Sequence, residues 1–158
     1  MVAQQLYEGV AVGKEGSVGL ITYMRTDSVR IADVAAADIR SYIESEFGKE
    51  FRPSHANSYS SKKNAQDAHE AIRPTSVHRT PLEMAKHLNK DQLKLYSLIW
   101  NRAVASQMAS AVFDVTTLLI GAGDYQLRAT GSVLKFEGFL KLSDKKDLLE
   151  DKDKTVPY

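Results

Sequence analysis

The 158 residues contain no cysteine, which excludes a disulfide framework and any thiolate nucleophile or thiolate metal site. Four prolines and nine glycines are too few for a fibrous or low-complexity chain. The apolar runs are far shorter than a bilayer requires, and residues 1–12 carry Glu8 where a signal peptide would need an apolar centre behind a basic start. A soluble, cytoplasmic protein is expected. An excess of charge of either sign is also missing. With 21 basic against 20 acidic residues the net charge is +1, so attraction to nucleic acid would have to come from a local arrangement of groups. What remains, 43% hydrophobic and 26% charged residues, is the composition of an ordinary globular domain.

The hydrophobic pattern predicts helices first and strands later. Residues 1–9 (MVAQQLYEG) read as the end of a helix stopped by Gly9; with no N-cap before it, the segment is expected to be cut from a longer protein. Val18 to Thr22 is short and β-branched, hence strand. Ile31, Val34, Ala35, Ile39, Tyr42, Ile43 and Phe47 recur at three- and four-residue steps up to Gly48, as on one face of a helix. Residues 51–60 read as loop, and 64–72 as a second helix ended by Pro74. Thr80-Pro81-Leu82-Glu83 is a capping box opening a helix to about Leu88. Asp91 is the expected cap of the next, with Leu93, Tyr96, Ile99, Trp100, Ala103, Val104 and Met108 facing the core.

From Val112 the period changes to that of strands. Residues 112–120, 125–129 and 133–142 predict an antiparallel meander of about three strands, turning at 121–124. The expected fold class is α+β. The expected domains are a helical domain over 1–109, part of a β domain over 110–143, and a charged linker or tail over 144–158. A small meander cannot bury its own faces, so both ends read as pieces of a neighbouring domain.

The chemistry concentrates in GLITYMRTDS, residues 19–28. On an extended segment Tyr23 and Arg25 point to one side. Only ~0.1% of an ordinary tyrosine is phenolate at neutral pH; a neighbouring guanidinium favours that anion and grips phosphate oxygens in pairs. Thr26, Asp27 and Ser28 near a helix start would add backbone N–H groups that attract anions. Tyrosine also ends many strands, however, and Thr-Asp-Ser is common capping material. On these residues alone both a phosphodiester-cleaving tyrosine and an ordinary strand end stand. His69 and Arg73, four apart on the expected helix, could reach one phosphate or simply face solvent. Lys62 and Lys63 form a basic pair of the kind that solvent usually covers. The four histidines are too scattered for zinc.

Taken together, GLITYMRTDS (19–28), YSSKKNAQDAHEAIRPTSV (59–77), LYSLIWNRAVASQM (95–108) and DVTTLLIGAG (114–123) resemble the type IA DNA topoisomerases, their bacterial topoisomerase I branch most of all. The resemblance covers all but the C-terminal tail. It implies that Tyr23 attacks single-stranded DNA to form a 5′-phosphotyrosine, that strand passage relaxes negative supercoils, and that reversal reseals the break without ATP. It implies that Arg25 stabilises the scissile phosphate, and that His69, and less directly Arg73, contact DNA; Lys62, from the basic pair, is a further candidate DNA contact. It also implies a winged-helix-like tyrosine domain joined to a β-rich arch, nucleoid association, and magnesium held by acids of a separate Toprim domain. No residues here match that domain, so this chain is expected to be inactive alone. Ala32 stands where a serine is expected to cap the long helix. The competing expectations are a non-catalytic nucleic-acid-binding helical module, or the same domain of a topoisomerase III or reverse gyrase.

Overall fold

In the computed structural model, which describes residues 1–59 and 69–143, the chain divides into two compact units, Met1–Met108 and Ala109–Tyr158. The first is helical and the second is built on strands, so the α+β class expected from the sequence is what is observed.

In the first unit, α1 (Val2–Glu8) ends at Gly9, whose φ of 132° suits glycine. Next comes a small hairpin, β1 (Val10–Ala11) against β2 (Ser17–Val18), with a 3-10 turn over Gly13–Glu15 between them. The predicted strand over 18–22 is therefore displaced: regular pairing stops at Val18, and Leu20 and Ile21 run on buried, with Ile21 pairing antiparallel to Pro74. α2 (Asp33–Phe47) ends before Gly48 as expected. It begins at Asp33, so Thr26, Asp27 and Ser28 do not lie at its start. They are held instead by local turns, in which Ser28 N donates to Thr26 Oγ1 and Arg30 N to Ser28 Oγ.

The buried face of α2 is Ala36, Ile39, Tyr42 and Ile43. Val34, placed in the core by the sequence pattern, is 84% exposed; the first turn presents Ala36 inward instead. α3 (Pro81–Met84) carries the predicted Thr80–Glu83 capping box, but is one turn long. α4 (Lys90–Ser106) is capped by Asn89 rather than Asp91: Asn89 Oδ1 accepts from Asp91 N and Gln92 N, and Gln92 Oε1 accepts from Asn89 N. Such a cap contributes about 1 kcal/mol.

Tyr96, Trp100, Ala103 and Val104 form the expected inner face of α4, and Met108 is buried just past its end. The two large rings also discharge their polar atoms: Trp100 Nε1 donates to Val77 O at 2.9 Å and Tyr96 Oη to Arg79 O at 2.6 Å. The rings of Tyr42 and Trp100 meet edge to face at 5.6 Å. Burial accordingly pushes both the Tyr96 and the Tyr42 phenols above the usual tyrosine value.

The second unit is a hairpin, β3 (Val112–Ala122) against β4 (Tyr125–Phe136), turning at Gly123-Asp124 with Gly123 at φ 61°. The expected three-stranded meander is not formed among the described residues. β4 runs unbroken through 130–132, and beyond Phe136 the chain enters a 3-10 turn over Gly138–Leu142. Gly138 sets that turn: it has φ 50°, and a Cβ there would strike the carbonyl oxygen of Ala109 at 2.5 Å, so the chain folds back where a strand would have continued. Both strands are exposed along nearly their whole length, including Val115, Leu118, Leu119, Leu127 and Val133.

Candidate active site

The site is assembled by two segments about fifty residues apart in sequence. Leu20 N donates to Leu6 O at 2.7 Å, which joins the tyrosine segment to the end of α1. Gly19 permits this approach, since a Cβ there would lie 2.6 Å from the Tyr7 carbonyl oxygen. On its other edge the segment pairs with residues 71–75. Thr22 N donates to Arg73 O, Thr75 N to Leu20 O, and Thr75 Oγ1 to Gly19 O. Thr22 also uses its hydroxyl twice, donating to Ala71 O at 2.8 Å and accepting from Arg73 N at 3.0 Å. The AHEAIRP stretch is thus fastened directly to GLITYMRTDS.

This pairing overturns the helix predicted for 64–72. Residues 64–68 lie outside the described residues, and 69–73 are not helical, because their backbone groups are drawn to neighbouring segments. Ala71 N, for instance, donates to Arg30 O. His69 and Arg73 consequently do not share a helical face.

They part in environment as well. The His69 ring packs beside that of Tyr23, with centroids 5.6 Å apart and planes tilted by 45°. Arg73 turns to Glu70 in a two-pronged ion pair, Nε to Oε2 at 3.0 Å and Nη2 to Oε1 at 2.9 Å, while Nη1 donates to Pro74 O. Glu70 Oε2 also accepts from Ala32 N at 3.3 Å. Burial opposes the charged form of Glu70. The Arg73 hydrogen bond and charge, the Ala32 amide and the Arg30 charge outweigh it, and hold the carboxyl below its usual range.

Tyr23 is 39% exposed, so its ring is packed on its sides yet open to a large substrate. Its second ring neighbour is Tyr7, edge to face at 5.5 Å. Arg25 is exposed, and no hydrogen bond or ion pair holds its guanidinium among the described residues. The chain bends at Met24 and Arg25, so the extended alternation expected to bring Tyr23 and Arg25 to one side does not continue past the tyrosine. Lys62 lies outside the described residues.

Tyr7, Thr22 and Glu70 were not among the residues singled out from sequence as site candidates. Nothing in a local pattern marks Tyr7, which reaches Tyr23 across the β1–β2 hairpin insertion. Glu70 carried one signal: it precedes Arg73 by three residues, a spacing for ion pairing, although the pair forms here without a helix. Among the described residues no three histidine or carboxylate side chains converge to hold a metal ion, and no helix is long and apolar enough to cross a membrane.

The arrangement is a solvent-accessible phenol between two rings, on a doubly anchored segment, with an exposed guanidinium two residues away that has no partner among the described residues. The comparisons with known proteins agree in one direction. The family model described as DNA topoisomerase matches residues 1–158. The full-length topoisomerase I structure from Thermotoga maritima is similar at 43% sequence identity and a TM-score of 0.75. That match covers 90% of this chain and 22% of the Thermotoga chain. The whole-length family match and this identity show that the chain belongs to the type IA DNA topoisomerases of bacteria.

Proposed function

We propose that this chain supplies the DNA-cleaving tyrosine of a bacterial topoisomerase I. In this reading the Tyr23 oxygen attacks the phosphorus of a phosphodiester in single-stranded DNA. The P–O3′ bond breaks, the phenol proton is lost, and the departing 3′-oxygen takes up a proton to become a free hydroxyl. A 5′-phosphotyrosine links the strand to the protein. Attack by the same hydroxyl reverses these steps, and passage of the other strand in the interval relaxes negative supercoils. The bond is exchanged rather than hydrolysed, so no ATP is required.

The observation that carries the reading is the seating of Tyr23. Its ring is fixed against His69 and Tyr7 while part of its surface stays open. Orientation of this kind replaces an entropic cost that a freely rotating phenol would meet in each encounter. His69 lies close enough to contact the DNA phosphate that approaches Tyr23, and Arg25 has an uncommitted fork for phosphate oxygens. Arg73 we assign to the architecture of the site, since its guanidinium is already paired with Glu70. Lys62 we keep as a DNA contact on its basic charge alone.

The same reading makes the chain one part of a larger enzyme. It spans about a fifth of the Thermotoga protein, and the resemblance places the magnesium-binding acids on a separate Toprim domain facing the tyrosine. The exposed β3–β4 hairpin then belongs to an arch whose other strands cover it. The test is to combine the chain with a separately expressed Toprim-bearing piece, magnesium and end-labelled single-stranded DNA. A covalent adduct that is lost in Tyr23→Phe is the expected result. No adduct, or an equal amount from Tyr23→Phe, would leave a DNA-binding module without chemistry.

A further inference from the structure

We infer that Glu70 is a positioning residue that sets His69 against Tyr23, and so governs cleavage without touching DNA; the inference rests on the reading of Tyr23 as the nucleophile. His69 has a ring contact with Tyr23, but its backbone makes no hydrogen bond among the described residues. From the next residue onward the chain is anchored at almost every step. Glu70 reaches the lead-in to α2 through Ala32 N, Ala71 N reaches Arg30 O, Ala71 O receives the Thr22 hydroxyl, and Arg73 N donates to that same hydroxyl. Glu70 is the first of these anchors after His69.

Its carboxylate accepts three hydrogen bonds from two residues. Oε2 receives both Ala32 N and Arg73 Nε, and Oε1 receives Arg73 Nη2, so α2 and the strand-like segment 73–75 are held by one partly buried group. Ala32 cannot cap α2 with a side chain, and the helix has no side-chain cap hydrogen bond of its own. Glu70 satisfies from a distance the backbone N–H of the N-cap residue, the group that a glutamate or glutamine at the third helical position, here Ala35, would take in a capping box. Without the carboxylate, the Arg73 guanidinium loses its counter-charge and the backbone just before it loses its tie to α2. His69 is the residue left without a fixed neighbour, and a displacement of ~1 Å at a reacting geometry can lower a rate by about a hundredfold.

The experiment is a double-mutant cycle in the complete enzyme, with Glu70→Gln, His69→Ala and the double variant. Single-turnover cleavage of a labelled single-stranded oligonucleotide is measured at a temperature where circular dichroism shows every variant fully folded. Glu70→Gln keeps the shape of the side chain and is expected to slow cleavage by about ten- to a hundredfold. The double variant is expected to be no slower than His69→Ala, because a residue that acts through His69 has nothing left to position. Multiplying defects, or a wild-type rate for Glu70→Gln, would overturn the proposal.

A second measurement separates it from the chemistry of Tyr23. In the 158-residue chain, ring-proton cross-relaxation between His69 and Tyr23 is expected to weaken in Glu70→Gln, and its persistence at full strength would also overturn the positioning role. An adduct formed equally by Tyr23→Phe would refute the nucleophile reading, whatever the cross-relaxation shows.

Discussion

Replacing Thr22 with valine would remove one oxygen and leave the rest of the side chain in place, which makes it a clean probe of the joint beneath the tyrosine. The hydroxyl donates to Ala71 O at 2.8 Å and accepts from Arg73 N at 3.0 Å. Valine has the same shape but satisfies neither group. Each hydrogen bond is worth about 0.5–1.5 kcal/mol net, and a fully buried orphan would cost about 1–3 kcal/mol. The site is only partly buried, so water recovers some of that loss, and about 2 kcal/mol is the expected total. Trp100 is the chain's single tryptophan and lies in the core of the first unit, so its fluorescence follows this unit alone during urea unfolding. With a slope of about 1.5–2 kcal/mol per molar urea, the midpoint should fall by about 1 M at unchanged slope. Thr22→Ser, which keeps the hydroxyl, should recover most of the difference. A valine variant within about 0.2 M of the parent would mean that the Thr22 hydroxyl contributes little net free energy, and that the backbone pairing of 19–22 with 71–75 suffices by itself.

Three further outcomes are expected. Glu70 has its carboxyl held below the usual value in the folded chain, so its contribution is present above about pH 4.5 and is lost as pH falls through its folded value; urea midpoints measured from pH 7 downward should drop less in Glu70→Gln than in the parent. Gly19→Ala would place a methyl group 2.6 Å from the backbone oxygen of Tyr7, and should cost about 1–3 kcal/mol in thermal unfolding of the first unit, whereas an unchanged melting temperature would mean the α1 junction yields freely. Arg25→Lys keeps the charge and loses the planar fork; cleavage by the complete enzyme should fall while the unfolding midpoint stays put, and equal rates would reduce Arg25 to a solvated neighbour.

The long elements were legible in the sequence because their burial is periodic. Ile39, Tyr42 and Ile43 on α2, and Tyr96, Trp100, Ala103 and Val104 on α4, are inside as their spacing indicates. The errors fall where tertiary contacts override local pattern. Asn89 and Asp91 are both good capping residues two positions apart, and only the packed helix chooses between them. Residues 69–72 have helical composition, yet Thr22 and Arg30 claim the Ala71 backbone. Residues 133–142 look like one strand, but Gly138 turns against the Ala109 carbonyl. The site divides in the same manner. Tyr23, Arg25 and His69 stood out through resemblance, and the structure brings the first and third together. Tyr7 and Thr22 enter it through contacts that span 16 and about 50 residues, a range over which no local spacing carries information.

The joint between Thr22 and Arg73 closes a loop of 51 residues, and this gives the tyrosine a history during synthesis. Tyr23 leaves the ribosome after Tyr7 but well before its partners in residues 69–75. At about 5–20 residues per second, His69, Arg73 and Thr75 emerge after it by roughly 2–10 s. Throughout that interval the tyrosine segment lacks its pairing with residues 71–75, and the phenol lacks the His69 ring. A nascent or truncated chain that stops before residue 75 therefore carries the tyrosine without the full set of contacts that seat it. The contacts that seat Tyr23 are complete only when the last segment of the joint, residues 71–75, has been made.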